Sequence, residues 1–499
     1  MNPAIRRTGV IALILLGAVF LQFNKVQFLD AADLAEDGHN ARQEIEEYSV
    51  PRGEILAADG TQLAVSQPSP EDSRLKYYRT YPEGAPFSYL TGFKSLNVGS
   101  YGLERAEGPV LDGSDALFFT DKVKDLFTGE TPLGGNVHTS LDPDLQRQAY
   151  DRLSGTGVPG AAVVMDPRTG EVLADVGTPG YDPDDLASND GETAENAWRE
   201  IAGPDGTDPE NNLQDPSRLQ TYPPGSTFKA VTAAAFIKNG YGNANTMVPA
   251  GNSYDPPDTD HTITNQGDQC PESELPLKEA FARSCNTTFA QLCVNDLSAG
   301  EMRDMASDFG IGEEFEMPLT VAKSEIGDID SPAFRAQSCF GQQSVRLTPF
   351  QNAMIASAIA NDGILMEPSL VTKITDQKNG ETLRNIRPDQ YNRVLSQADN
   401  EQMRILMDEV VNGDRGTGGA ARQGGYDIAG KTGTAENTDE KGDDLPTHGW
   451  FIGYGGEEGS DTPTVAVSVF VKNYGDAGSG LATQIAGELM AQALEDQGN

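Results

Sequence analysis

A chain of 499 residues with 76 acidic and 36 basic side chains carries a formal net charge of −40, a surface that repels nucleic acid and offers no basic stripe to grip phosphates. Its apolar and charged fractions, 37% and 22%, exclude a wholly disordered chain, and its length calls for two folded modules rather than one core. The acidity itself reads as a solubilising surface.

Arg6 and Arg7 precede an apolar run from Gly9 to Leu21, extended on one face by Phe23, Val26, Phe28 and Leu29. The run is short for a membrane span and equally fits the core of a signal peptide, but no small-x-small cleavage site follows it closely. The expectation is an uncleaved single-pass anchor in the cytoplasmic membrane, arginines inside and the bulk of the chain outside. Residues 30–50 read as an acidic stalk. Apolar runs on either side of Asp59-Gly60 predict a tight hairpin, and Tyr77 to about Leu133 reads as a small β-rich stretch broken by Gly and Pro. Val137–Leu141 is a predicted strand, and Asp142-Pro143-Asp144 caps a helix over Leu145–Leu153.

Beyond Gly160, Ala161–Met165 and Glu171–Ala174 bracket a turn at Asp166–Gly170, a strand–turn–strand pattern. Gly180–Gln214 is rich in Asp, Asn, Gly and Pro and is expected to be a long surface loop. Helical patterns dominate from Ser226 to about Ala360, strands return at Trp450–Tyr454 and Thr464–Lys472, and Leu481–Leu494 closes the chain as a helix. The four cysteines, Cys270, Cys285, Cys293 and Cys339, permit three pairings that sequence does not choose among. Without a C-x-x-C and with scattered histidines, a zinc site is not expected.

Three short stretches carry chemistry. In Tyr222-Pro223-Pro224-Gly225-Ser226-Thr227-Phe228-Lys229, the Pro-Pro-Gly lead-in places Ser226 at a helix N-terminus, where free N–H groups favour developing negative charge. Lys229, nearly one turn on, projects on the same face and can serve as a base if burial or a neighbouring cation lowers its pKa. A second S-x-x-K at Ser73–Lys76 lacks that lead-in and reads as chance. Ser284-Cys285-Asn286 offers a hydroxyl for proton shuttling and an amide for substrate binding, although S-x-N alone is weak and recurs at Ser95–Asn97. Lys431-Thr432-Gly433-Thr434 lies in a β-like segment whose glycine admits a ligand close to the backbone and whose lysine and hydroxyls can hold a carboxylate.

S-x-x-K, S-x-N and K-T-G in this order form the set found in penicillin-binding proteins and class A β-lactamases. The sequence resembles the class B penicillin-binding proteins, closest to actinobacterial elongation and division members, and the match spans most of the chain. Arg52-Gly53-Glu54-Ile55 and Tyr101-Gly102-Leu103-Glu104 resemble motifs of the family's non-catalytic module; Gly341-Gln342, Thr348-Pro349, Ala360–Gly363 and Gly416-Thr417-Gly418 resemble landmarks of its transpeptidase domain. The resemblance implies a tail and anchor at 1–29, a β-rich pedestal of the dimerisation type at 30–155, and a transpeptidase domain at 156–499. That domain would be an α/β (α+β) fold, an antiparallel sheet flanked by helices with a helical region beside it.

It also implies roles: Ser226 as the acylated nucleophile of a peptidoglycan D,D-transpeptidase, Lys229 as its base, Ser284 as proton relay, Asn286 as a hold on the donor peptide, and Lys431 as electrostatic support. Thr432 and Thr434 would grip the terminal carboxylate beside Gly433, and the N–H groups of Ser226 and Thr434 would form the oxyanion hole. Peptidoglycan pentapeptide stems and β-lactams are the implied ligands, a SEDS-family glycosyltransferase the implied partner, and no cofactor or metal is called for. A Cys270–Cys285 bridge, stiffening Ser284 and Asn286, with Cys293–Cys339 as the other pair, is the expected pairing. A β-lactamase and a D,D-carboxypeptidase share the acylation machinery, but the additional N-terminal module argues against both, and a catalytically silent scaffold has no use for the full residue set. His448, near the active-site strand, is expected to be structural.

Overall fold

The computed structural model describes residues 3–25, 47–71, 73–119, 127–129, 131, 133–203, 213–438, 441–460 and 462–498. At its centre lies a five-stranded sheet in the order Tyr426–Thr438, Asp444–Glu457, Val465–Val471, Gly160–Met165, Val172–Thr178, with every neighbouring pair antiparallel. The strands from Gly160 and Val465 are buried along their whole lengths, which is why they read as unbroken apolar runs rather than alternating ones. On one face pack the helix Pro143–Ser154, through Leu145, Ala149 and Leu153, and the C-terminal helix Gly478–Gly498. The other face is covered by Pro349–Ala360, in which every residue is buried. Such a helix needs no polar stripe, and its start is set by Thr348, whose Oγ1 accepts the N–H of Gln351 at 2.9 Å.

A six-stranded sheet forms the pedestal, in the order Thr382–Asn385, Val371–Asp376, Gly135–Thr139, Ile55–Leu56, Gln62–Pro68, Tyr77–Thr80. The Asp59-Gly60 hairpin is present, with Gly60 at φ 90°. Two strands of this sheet come from the second half of the chain, and Val371–Asp376 pairs antiparallel with Gly135–Thr139. Glu104, on the helix Gly102–Ala106, is buried against Arg52 and Arg79. Arg52 Nε donates to Glu104 Oε2 at 2.7 Å, Arg52 Nη2 to Glu104 O at 2.8 Å, and Arg79 Nε to Glu104 Oε1 at 2.5 Å. The R-G-x-I and Y-G-L-E motifs are therefore two halves of one buried ion cluster. Burial pushes the Glu104 carboxyl up, but Arg79 and Arg52 outweigh it and hold it below the usual carboxylate range.

Three expectations are corrected. Although the N-terminal helix Pro3–Asn24 contains the apolar run, no helix among the described residues is long and apolar enough to cross a membrane. At 1.5 Å per residue the uninterrupted run covers about 20 Å of a hydrocarbon core about 30 Å thick. The single-pass anchor, and the membrane placement that rested on it, fall with that shortfall. Within Gly180–Gln214, read as loop, Pro183–Ala187 and Gly191–Ala202 are helices. The aspartates taken for loop residues are their N-caps, Asp182 accepting from Asp184 N and Asp190 from Thr193 N. Between Tyr77 and Leu133 the β content is the strand Tyr77–Thr80 and a two-residue pair; the rest of the described segment is largely short helical turns such as Ser88–Thr91 and Gly102–Ala106. Most of the expected stalk, residues 30–46, lies outside the described residues.

Candidate active site

The chain enters the site through Tyr222, whose N–H donates to Leu347 O at 2.9 Å. Pro223 O accepts the Trp450 indole N–H at 3.0 Å. Gly225, at φ 55°, makes the turn that the Pro-Pro-Gly sequence announced, and a Cβ there would come within 2.3 Å of Thr434 O. This close approach seats Ser226 against the strand Tyr426–Thr438 and leaves room only for glycine. Ser226 lies in a 3₁₀ turn, Gly225–Phe228, and the α-helix proper begins at Lys229.

Lys229 is fully buried. Its Nζ lies 3.0 Å from Ser226 Oγ, 2.7 Å from Ser284 O, 3.1 Å from Ser284 Oγ and 2.7 Å from Asn286 Oδ1. The second cation, Lys431, is equally buried, with Nζ 3.1 Å from the same Ser284 Oγ and 3.0 Å from Thr432 O. Aromatic faces back both, Phe289 at 5.6 Å from Lys229 and Phe281 at 5.5 Å from Lys431. Burial, and then the neighbouring Lys431, hold Lys229 well below the usual lysine range. Burial alone takes Lys431 down to about 7. Two enclosed lysines around one serine hydroxyl have no structural use that an apolar pair would not serve better.

Ser284 sits at φ 61° between the helices Leu277–Ala282 and Asn286–Asn295. The left-handed conformation, uncommon for a residue with a Cβ, turns both its hydroxyl and its carbonyl toward Lys229. The next residue, Cys285, is bonded to Cys270, and Cys293 to Cys339, the pairing expected from the place of Cys285 inside the S-x-N element. Asn286 Nδ2 donates to Thr264 O at 3.1 Å. Across the cleft, Thr432 Oγ1 lies 2.7 Å from Thr417 Oγ1.

Ser226, Ser284, Asn286, Thr432 and Thr434 line one cleft of about 160 Å³, which also receives Thr417, Gln342 and Glu436. Lys229 and Lys431 stand behind its wall, and Gly433 packs against Thr227 and Pro224. The sequence-based set is thus brought together. Gln266, Gln269 and Phe340 join the lining with no motif to mark them, and the pairing role of Thr417 was legible only as part of a glycine-flanked landmark. Ser73 and Lys76, the second S-x-x-K, are both exposed in the pedestal. His448 is buried, its Nδ1 accepting Asn473 N–H at 3.1 Å, its ring packed on Tyr222 and Phe470. Burial, Lys472 and Arg346 push it down to about 4, which suits a neutral structural imidazole.

Residues 160–491 match the penicillin binding protein transpeptidase domain, and residues 52–137 the penicillin binding protein A dimerisation domain. The chain belongs to the class B penicillin-binding protein family. Among curated relatives, the peptidoglycan D,D-transpeptidase PbpA of Mycolicibacterium smegmatis is 37% identical over 99% of this chain and 100% of that protein. Its Mycobacterium tuberculosis counterpart is 36% identical over 100% of both. Two solved structures of penicillin-binding protein A from M. tuberculosis superpose closely. The ceftriaxone acyl-enzyme complex has a TM-score of 0.83 at 35% identity, covering 90% of this chain and 100% of that one. The penicillin G acyl-enzyme complex has a TM-score of 0.80 at 36% identity, covering 89% and 99%. The transpeptidase fold of the family is thus the fold of this chain.

Proposed function

We propose that this protein is a peptidoglycan D,D-transpeptidase that cross-links stem peptides through an acyl-enzyme on Ser226 and is inactivated when β-lactams acylate the same serine. The observation that carries the reading is the environment of Lys229. Its two shortest contacts, to Ser284 O and Asn286 Oδ1, use both N–H groups of a neutral amine, leaving the lone pair to accept the Ser226 hydroxyl proton at 3.0 Å. A lysine held well below its usual range by burial and by Lys431 is neutral when that proton has to move.

Ser226 Oγ attacks the carbonyl of the penultimate D-Ala as its proton passes to Lys229. The N–H groups of Ser226 and Thr434 stabilise the oxyanion, a contribution of about 10²–10³ in rate per donor. Ser284, within reach of both lysines, relays the proton to the departing D-Ala amine. Thr432 and Thr434 hold the terminal carboxylate, with Lys431 behind them and Asn286 on the donor amide. An amine of a second stem then takes the acyl group and frees Ser226. We assign the transpeptidase module to 156–499 and the pedestal to 30–155, a division supported by the two family matches, with strands from 371–385 completing the pedestal sheet. A SEDS-family glycosyltransferase is the proposed partner that would supply the glycan strands.

Intact-mass spectrometry after incubation with penicillin G tests the reading. A stable adduct on the wild type and none on Ser226→Ala supports it; no adduct with rapid loss of drug would replace it with a β-lactamase, and no adduct with intact drug with a silent scaffold.

A further inference from the structure

The pedestal holds a cavity of about 350 Å³ that shares no described lining residue with the cleft around Ser226, and its volume lies in the range of small-molecule sites. Pro51, Tyr77 and Leu111 give it apolar walls, and Tyr48, Arg52 and Arg79 bring polar groups to it. Tyr48 and Arg79 are both more than nine-tenths enclosed, at 6% and 4% exposure. Other bonds fix where they stand. Tyr48 O accepts the Tyr77 N–H at 3.2 Å, while Arg79 Nε donates to Glu104 Oε1 at 2.5 Å and Nη1 to Ser66 Oγ at 3.4 Å. Tyr48 Oη and Arg79 Nη2 are left, each buried and with no hydrogen-bond partner among the described residues.

A buried donor without a partner has given up its hydration for nothing in return, so two of them on one cavity call for an acceptor from outside the chain. Both groups can only donate here. A guanidinium has no acceptor, and burial, with Glu47 and Glu104 nearby, pushes the Tyr48 phenol up, so that it keeps its proton. The charges point the same way. Among the enclosed groups, the guanidiniums of Arg52 and Arg79 face the single carboxylate of Glu104, an excess of one positive charge. At the rim, Lys94 is balanced by Glu47 at 2.9 Å, and Asp112, 3.8 Å from Arg52 and 39% exposed, is screened by solvent. We propose that the pedestal cavity binds a small carboxylic acid with an apolar body, its carboxylate on Arg79 Nη2 and Tyr48 Oη and its body between Pro51, Tyr77 and Leu111. Two oxygens match the two donors and one charge matches the excess; a phosphate exceeds both. The site goes beyond the chemistry at Ser226 and does not depend on it.

Isothermal titration of the full chain decides it, with two matched pairs of probes: naphthalene-2-carboxylate and its carboxamide, and N-acetyl-L-phenylalanine and its amide. Each amide keeps the body and loses the charge. The chain is first acylated with penicillin G, which closes the cleft at Ser226. At least one acid is expected to bind more tightly than its amide by about tenfold to a hundredfold, the range of one hydrogen bond to a charged group. Which pair does so separates a free aromatic acid from a peptide terminus. Tyr48→Phe is expected to weaken that acid by about threefold to tenfold, while the Tm of the unliganded protein stays level or rises, because the lost hydroxyl bonds to nothing described in the chain. No preference for either acid, an affinity that Tyr48→Phe leaves unmoved, or a fall in Tm showing that the hydroxyl has a partner within the fold, overturns the proposal. A chain that penicillin G fails to acylate overturns the transpeptidase reading alone; the titration is then run on the unmodified chain and judged by the same outcomes.

Discussion

Replacing Glu104 by Gln in the pedestal removes one charge from a cluster of three and leaves shape almost unchanged. The Glu104 side chain is fully enclosed, and those of Arg79 and Arg52 are 2% and 12% exposed. The carboxylate receives one N–H from each guanidinium and stands 3.3 Å from Tyr81 Oη. Removing one partner of a buried pair costs about 3–5 kcal/mol, because the remaining charge keeps its desolvation penalty and loses its compensation. Arg79 bears most of this, since its Nη2 already lacks a hydrogen-bond partner.

The chain has two tryptophans, which serve as separate reporters. Trp198 packs 5.7 Å from Tyr101 beside the pedestal, and Trp450 is buried near the active site. Urea unfolding in a Trp450→Phe background, followed by Trp198 fluorescence, reads the pedestal transition. Glu104→Gln is expected to lose about 3–5 kcal/mol, and Arg79→Met to couple to it by about 2–3 kcal/mol in a double-mutant cycle. Because the folded carboxyl is held below its unfolded value, the cluster's contribution is present above the ordinary carboxylate range and is lost as pH falls through the depressed value. The variant and wild type should therefore converge in strong acid. A loss under about 1 kcal/mol at neutral pH, or additivity within the cycle, would refute the view that these motifs exist to build a buried ion cluster.

The two active-site lysines predict a bell-shaped pH profile for penicillin acylation, measured as the second-order rate. Its acid limb reflects Lys229, held low by burial and by Lys431, and its alkaline limb follows loss of the Lys431 charge near pH 7. Lys431→Met should abolish the alkaline limb and move the acid limb to higher pH, since a neighbouring cation no longer opposes protonation of Lys229; an unmoved acid limb would contradict the coupling. Removing the Cys270–Cys285 bridge, whose partners are 15 residues apart, should cost about 3 kcal/mol on the chain-entropy estimate and slow acylation by loosening Ser284 and Asn286. Unchanged acylation would detach the bridge from the site. Gly341→Ala, at φ 80°, would set a Cβ 2.0 Å from Gly225 O; acylation should fall more than about tenfold, and a wild-type rate would show that the nucleophile's turn has room to shift.

What was legible in the sequence follows the range of the interactions involved. Ser226 and Lys229 are one turn apart, so local geometry joins them, and Pro223-Pro224-Gly225 fixes where the turn begins. The strands Ala161–Met165 and Thr464–Lys472 announced themselves because burial on both faces leaves only apolar side chains. Gly180–Gln214 misled for a local reason, since Asp followed by Pro or Gly marks a helix cap as readily as a turn. Nothing local shows that Val371–Asp376 pairs with Gly135–Thr139, or that Glu436 and Gln342 flank one opening. Those depend on tertiary packing, where a strand's own residues specify its pleat but not its neighbour. The positive φ of Ser284 was likewise invisible, because a Ser at that conformation is held there by its surroundings rather than by its own preference.

The shared pedestal sheet also sets a timetable. His138 and Thr375, in contact across it, are 237 residues apart, so a ribosome adding about 5–20 residues per second needs on the order of 10–50 s to deliver the missing strand. Throughout that interval the Gly135–Thr139 edge stands open, able to pair with any passing strand of a nascent neighbour. The protein's most vulnerable age is therefore set by the order of its strands, and whatever shields that edge in the cell must act while the second half of the chain is still being made.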